Sequence, residues 1–264
     1  MQATPRNRVV VWLGTALVLA GLGLLGYVGW QVFGTNIVSE QRQRETVQKL
    51  ERQWQEERLG VRPDGKGGGA GDGGGDGGGS GGNGGGAGAG AGGGDGLGTD
   101  GVGVAVSTRS VQPGDAMALI RIPRFGEDYV MPVMEGVGDD VLARGYGHFE
   151  ESAAMGEKGN FAVAAHRVTH GEPLRDMPSL RPGDEVIVET RDTIYTYELD
   201  TDPNALVVTF RDVWVVGTEP ENPDPNGVQP ADAERLITLT TCAELFHTDD
   251  RMIAFGHLVD TDEK

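Results

Sequence analysis

The pattern of apolar and polar positions changes character three times along this chain, and each segment predicts a different element. From Val9 to Trp30 no charge interrupts the run VVVWLGTALVLAGLGLLGYVGW. A helix rising 1.5 Å per residue crosses a hydrocarbon layer of about 30 Å in that length. Residues 9–33 are therefore read as a transmembrane anchor behind a short cytoplasmic tail, 1–8. Arg6 and Arg8 resemble the start of a signal peptide, but the apolar run is too long and no small-x-small cleavage site closes it. Trp12 near one end and Tyr27 and Trp30 near the other suit two membrane interfaces. Arg6 and Arg8 precede the span while Arg42 and Arg44 follow it. The reading places the N-terminus inside and everything after Trp30 outside.

From residue 36 to 60 the period becomes helical and the composition polar. Val47, Leu50 and Trp54 recur at three- and four-residue steps on an otherwise charged segment. So narrow a stripe predicts a solvated stalk helix. The alternative is a helix that docks on the folded domain or pairs with a second copy. Residues 61–109 carry most of the chain's 45 glycines. A segment of that composition cannot bury enough apolar surface to order itself, so it reads as a disordered, flexible linker.

From about residue 110 to the end, apolar residues alternate with polar ones in short runs separated by Pro, Gly and Asp. Strands are predicted at Met117–Ile122, Tyr129–Met134, Phe161–Ala165, Glu185–Glu189, Thr193–Leu199, Leu206–Thr209, Val213–Val216, Leu236–Thr240 and Met252–Val259. Helical pattern is confined to Asp139–Arg144 and a turn near Glu172–Met177. Many short strands without long helices between them predict an all-β domain, a closed barrel or a sandwich. Its length suits one hydrophobic core.

Charge narrows the list of partners. A formal net charge of −18 in 264 residues argues against nucleic acid or any polyanion. Acidic loops are plentiful, yet none has recognisable calcium-ligand spacing, so no metal or cofactor is assigned.

The candidate chemistry centres on Cys242, the only cysteine. Outside the cytoplasm a lone thiol is reactive, an intermolecular crosslink or incidental. It ends the apolar run Leu236–Thr240 and opens a polar loop, which predicts a position at the rim. A thiol needs a base or a lowered pKa to act as a nucleophile. His166 follows the strand Phe161–Ala165 and stands at another strand end. His148, His170, His247 and His257 are rivals, and spacing alone does not choose among them. Arg251 begins the strand after Cys242 and could donate to a developing oxyanion. An ion pair with Asp249 or Asp250 is its structural alternative.

Taken together, Thr238-Leu239-Thr240-Thr241-Cys242, the downstream Arg251 and the upstream Ala165-His166-Arg167 resemble the signature of sortases, membrane-anchored cysteine transpeptidases of Gram-positive bacteria. The likeness extends over Met117–Val259, including Ile120-Arg121-Ile122-Pro123 and Gly145-Tyr146-Gly147-His148. The second threonine before the cysteine, and the stretch from Gly29 to Asn36, look most like class E sortases of actinobacteria. One departure is Ala165, where a glycine is common before the histidine; both are small.

This resemblance implies a closed sortase-type β-barrel over 110–264 with Cys242 as nucleophile, His166 as general acid–base and Arg251 as transition-state stabiliser. It further implies cleavage of an LAxTG or LPxTG type of sorting signal between Thr and Gly, and transfer to a cell-wall amine such as a peptidoglycan precursor. The active pair would be a thiolate–imidazolium, giving a bell-shaped pH dependence. Residues 218–234 would form one wall of the substrate groove, with Tyr129, Thr240 and Thr241 as further substrate-binding candidates. Partners would be secreted proteins bearing the signal. Two alternatives use the same chain: a cysteine hydrolase releasing its product to water, and a non-enzymatic tethered β-domain.

Overall fold

A computed structural model describes residues 5–30, 34–60, 112–244 and 249–264. The linker expected at 61–109 and the rival base His247 lie outside the described residues.

Two helices lead the chain: α1 at Pro5–Gly29 and α2 at Thr35–Arg58. Within α1, residues 10–29 form a span of mean hydropathy 1.9 with none of it buried in the protein. Helix α2 departs from the expected stalk. Val47, Leu50 and Trp54 are 6%, 7% and 7% exposed and pack on Leu119, with Ala116 and Val130 at the edge. Burial of each such side chain contributes roughly 2 kcal/mol. Glu51 pairs with Arg121 at 3.5 Å and Glu57 with Arg191 at 3.1 Å, while the ammonium of Lys264 lies 4.9 Å from the Trp54 ring centre. The domain therefore does not hang free of the anchor: α2 is part of its wall.

The domain itself is one closed sheet. Its strands are β1 (Ala116–Arg121), β2 (Met131–Glu135), β3 (Tyr146–His148), β4 (Gly159–Ala164), β5 (Glu185–Glu189), β6 (Thr193–Leu199), β7 (Val207–Thr209), β8 (Arg235–Cys242) and β9 (Asp250–Glu263). They are ordered β6-β5-β1-β2-β3-β4-β8-β9, and β6 pairs back onto β9 to close the barrel. Closure removes the exposed edges that an open sheet would present. Strand β9 is long enough to serve two neighbours on one side, β7 at residues 250–252 and β6 at residues 256–263. A four-residue helix, α3 (Asp139–Leu142), precedes β3.

Inward-pointing residues of alternate strands, among them Ile120, Val133, Phe161, Val163, Val188, Tyr197, Ile237, Leu239 and Ala254, fill one core. A second cluster lies outside the β8–β9 face, where Leu206 and Val215 cover Ile253 and Phe255. Val213–Val216, expected as a strand, is a 3-10 turn lying on that face. Four consecutive apolar residues carry no period that separates a strand from a buried turn. Strand β3 is absent from the expectations because three residues are too few to show alternation. The turn expected at Glu172–Met177 is present, with Arg175 bonding back to Glu172, and runs on into a 3-10 turn at Met177–Ser179.

Candidate active site

Sheet register brings the three candidate residues into one row. Strands β8 and β9 are antiparallel with Cys242 directly opposite Arg251. Directly opposed residues project from the same face with Cβ atoms about 5 Å apart, so the guanidinium stem starts beside the thiol. On the other side β4 runs parallel to β8, pairing Ala162 with Thr238 and Ala164 with Thr240. The offset of 76 residues carries on beyond the strand: the Ala165 amide donates to the Thr240 carbonyl at 3.2 Å. The Thr241 hydroxyl donates to the Ala165 carbonyl at 2.7 Å. Continued past the end of β4, the same offset would set His166 opposite Cys242. Cys242 itself is half-buried, without a disulfide partner, and faces Arg251 across β9.

Local structure around His166 decides its state. The chain turns back after it, and the His166 carbonyl accepts from the Leu174 amide at 3.0 Å. The His170 ring stacks on the His166 ring with centres 4.6 Å apart. Nδ1 of His166 lies 3.4 Å from the Thr169 hydroxyl, while Nε2 is buried with no partner. Burial, assisted by the neighbouring His170 and opposed by Asp139, lowers the His166 pKa from 6.5 to about 4. At neutral pH the resting ring is uncharged and holds one nitrogen idle. That is the condition of a base awaiting a proton.

Among the described residues, the other histidines are occupied elsewhere. His257 pairs with Leu236 at the far end of β8 and bonds Asp200 at 2.8 Å. His148 has both ring nitrogens engaged inside the barrel wall. His170 stacks on the His166 ring.

Arg251 donates to the Asp250 carbonyl at 3.0 Å. Sequence reasoning did not assign Arg167 a role, although it sits in the motif Ala165-His166-Arg167. Its guanidinium crosses to β8 and donates to the backbone carbonyls of Cys242 and Ala243, fixing the turn that leaves the strand.

Tyr129, Thr240 and Thr241, offered by the resemblance as substrate-binding residues, are committed elsewhere. Thr240 and Thr241 are 6% and 3% exposed, and they stitch β8 to the end of β4. The Tyr129 hydroxyl donates to the Pro173 carbonyl at 2.7 Å and lies 2.8 Å from the Tyr146 hydroxyl. Burial raises the pKa of both phenols. Tyr129 keeps partial exposure, while the two threonines are buried.

A groove of about 690 Å3 does open beside Arg251. One wall is β7, where Val208 pairs with Arg251. The other is formed by Asn222 to Val228, with Trp214 also lining it. Asn222 ties that wall together, accepting a bond from Asp224 and donating to the Val228 carbonyl. Among the described residues no group of three or more His, Cys, Asp or Glu side chains converges in a way that could hold a metal ion.

Comparison with known proteins agrees with this geometry. Sortase SrtE1 of Streptomyces coelicolor is 39% identical over 162 residues, which cover 58% of this chain and 43% of that protein. Sortase SrtE2 of the same organism is 25% identical over 258 residues, covering 95% of this chain and 82% of its own. Among solved structures, sortase E from Streptomyces avermitilis superposes with a TM-score of 0.50 at 39% identity, covering 58% of this chain and 93% of that one. The SrtF sortase from Corynebacterium diphtheriae gives 0.51 at 27% identity, covering 59% and 90%. The matched stretch spans less than half the length of SrtE1, and nearly all of the crystallised sortase E. The Sortase domain family profile matches residues 120–259, a region that holds Cys242, His166 and Arg251 together with the barrel that aligns them. The chain belongs to the sortase family.

Proposed function

We propose that this protein is a membrane-anchored, class E-like cysteine transpeptidase acting outside the cytoplasm. It cleaves an LAxTG or LPxTG type of sorting signal between Thr and Gly and passes the acyl group to a cell-wall amine. The observation that supports the reading is Cys242 paired with Arg251 across β8 and β9, with the end of β4 just before His166 tied to the same stretch of β8.

In this reading Cys242 reacts as a thiolate while His166 holds the proton. Sulfur attacks the threonine carbonyl, and the oxygen that takes up the electron pair is met by the planar fork of Arg251. The tetrahedral species collapses by breaking the C–N bond, with the His166 proton leaving on the glycine amine. A thioester remains on Cys242 and His166 is neutral. An incoming amine then attacks the thioester and gives His166 its proton, and the thiolate departs. The groove beside Arg251 accommodates the residues before the scissile bond, with Val207, Val208, Trp214 and Val228 offering apolar contact. The α1 span would keep the enzyme at the membrane, where clients emerge.

The test is incubation of the protein with a signal peptide, with and without a glycine-based or diaminopimelate-type amine. A thioester adduct on Cys242, and amide rather than acid product when the amine is present, is the expected result. Acid product alone at saturating amine would make the protein a hydrolase. No adduct at all would leave a tethered β-domain.

A further inference from the structure

The loop that carries the candidate base is held from outside the barrel by the helix next to the membrane span. Asn36, at the start of α2, accepts from the Gly171 amide at 3.1 Å and donates to the Glu172 carboxylate at 2.6 Å. Two turns on, the Gln43 amide donates to the His170 carbonyl at 2.8 Å. Gln43 is 2% exposed, and its own oxygen is buried without a partner. The contacted loop adopts an uncommon backbone: His170, Gly171 and Glu172 have φ of 54°, 78° and 50°. Residues with a Cβ seldom enter that region. A Cβ at Gly171 would lie 2.5 Å from the Gln43 amide oxygen, so helix and loop meet without a spare atom between them.

We propose that Asn36 and Gln43 are positioning residues for the transfer reaction: through the 170–172 backbone they keep His170 stacked on His166 and so set the placement of the reacting imidazole. The inference rests on the transpeptidase reading for its kinetic arm only. The groups facing His166 are His170 and Thr169 of its own loop, Asp139 of α3 and, in the proposed row, Cys242 of β8 with Arg251 of β9. None of these belongs to α2, so α2 acts on the ring through the backbone of the loop. Because α2 begins a few residues after α1 ends, the clamp is physically continuous with the membrane anchor. At no more than about 3.5 Å per residue, the histidine loop is held within roughly 25 Å of the outer end of the span.

The experiment uses the full chain in lipid nanodiscs and compares the parent with Gln43→Ala, Asn36→Ala/Gln43→Ala and Gly171→Ala. The last variant attacks the same contact from the loop side. With the clamp lost, His166 gains solvent, and its ring titration by NMR moves upward by about one unit or more. The value of kcat for signal-peptide transfer falls about tenfold, KM stays within about twofold, and thermal unfolding shows the barrel intact. In the His170→Ala background the Gln43→Ala change adds little, because both act through one contact. Ring titration and kcat that match the parent in the double variant and in Gly171→Ala overturn the proposal, as does a rate that rises. If the parent has no transfer activity, the ring titration still decides whether the clamp exists.

Discussion

Two histidines sit at the ends of neighbouring strands, and their surroundings could hardly differ more. His148 closes β3, 4% exposed, with its Nδ1 3.0 Å from Glu135 and its Nε2 3.0 Å from both the Ala153 carbonyl and the Ser152 hydroxyl. Its ring stacks on Phe161 of the core. His166 follows the adjacent β4 with a long contact to Thr169 on one nitrogen and nothing on the other. A saturated imidazole holds a structure together, since every lone pair and proton is already committed. An unsaturated one is costly to bury, and the proposed site gives that cost a reason. The difference teaches that the idle nitrogen, rather than the histidine itself, marks the chemistry.

The sharpest way to break the comparison is to remove each ring. His166→Ala is expected to slow transfer by about a thousandfold while leaving the unfolding midpoint almost unchanged. His148→Ala strands a buried Glu135 and is expected to cost about 3 kcal/mol of stability, with the rate per folded molecule retained. Denaturant titration and active-site-normalised kinetics on both variants check this, and a loss of stability in the first with a loss of rate in the second would reverse the roles.

A smaller effect is expected at the third member of the row. Arg251→Lys keeps the charge and discards the planar fork, so a loss of roughly tenfold to a hundredfold in kcat/KM follows. Near-normal activity would return Arg251 to a structural part in the β8–β9 turn.

Acid titration of stability separates the two rings again. The folded-state pKa of His166 lies near 4 against 6.5 for the free side chain, so the unfolded chain takes up a proton that the folded one refuses. Stability from this residue is fully present above about pH 6.5, declines as pH falls towards about 4, and is flat below that. His166→Gln should remove that part of the slope. Equal slopes for parent and variant in denaturant titrations across this range would show that the ring is not held neutral.

The smallest expected change lies in the frame. Thr241→Val removes the hydroxyl bond to Ala165 that brings the histidine level with the thiol, at a cost of about 1 kcal/mol. A modest drop in kcat should accompany it, and an unchanged melting curve would show that the ladder alone holds the register.

Much of this site was legible along the chain. Cys242 and Arg251 flank a turn between two apolar runs, and the ladder that pairs them needs only those runs. The alternating strands Glu185–Glu189 and Thr193–Leu199 match the observed β5 and β6. Other features were hidden for definite reasons. The α2 stripe looked too thin to dock because part of its buried face is polar: Ser39 and Gln43 are buried along with Val47, Leu50 and Trp54. The partners of Gln43 and of nearby Asn36 are loop groups more than a hundred residues away, and no periodicity records that. Tyr129 resembled a ligand-facing aromatic, whereas its hydroxyl meets Tyr146 and Pro173 only after β2 and β3 come side by side.

The sequence by itself determined the long apolar helix, most of the strands and the residue types of the proposed site, because hydrophobic period and side-chain chemistry are properties of neighbours in the chain. Tertiary structure alone decided that α2 bonds the loop after His166, that His148 is saturated while His166 keeps an idle nitrogen, and that Val213–Val216 covers a sheet face instead of joining it. Those outcomes depend on which buried polar groups find partners across the closed barrel. That satisfaction is settled between segments remote in sequence and cannot be read from any one of them.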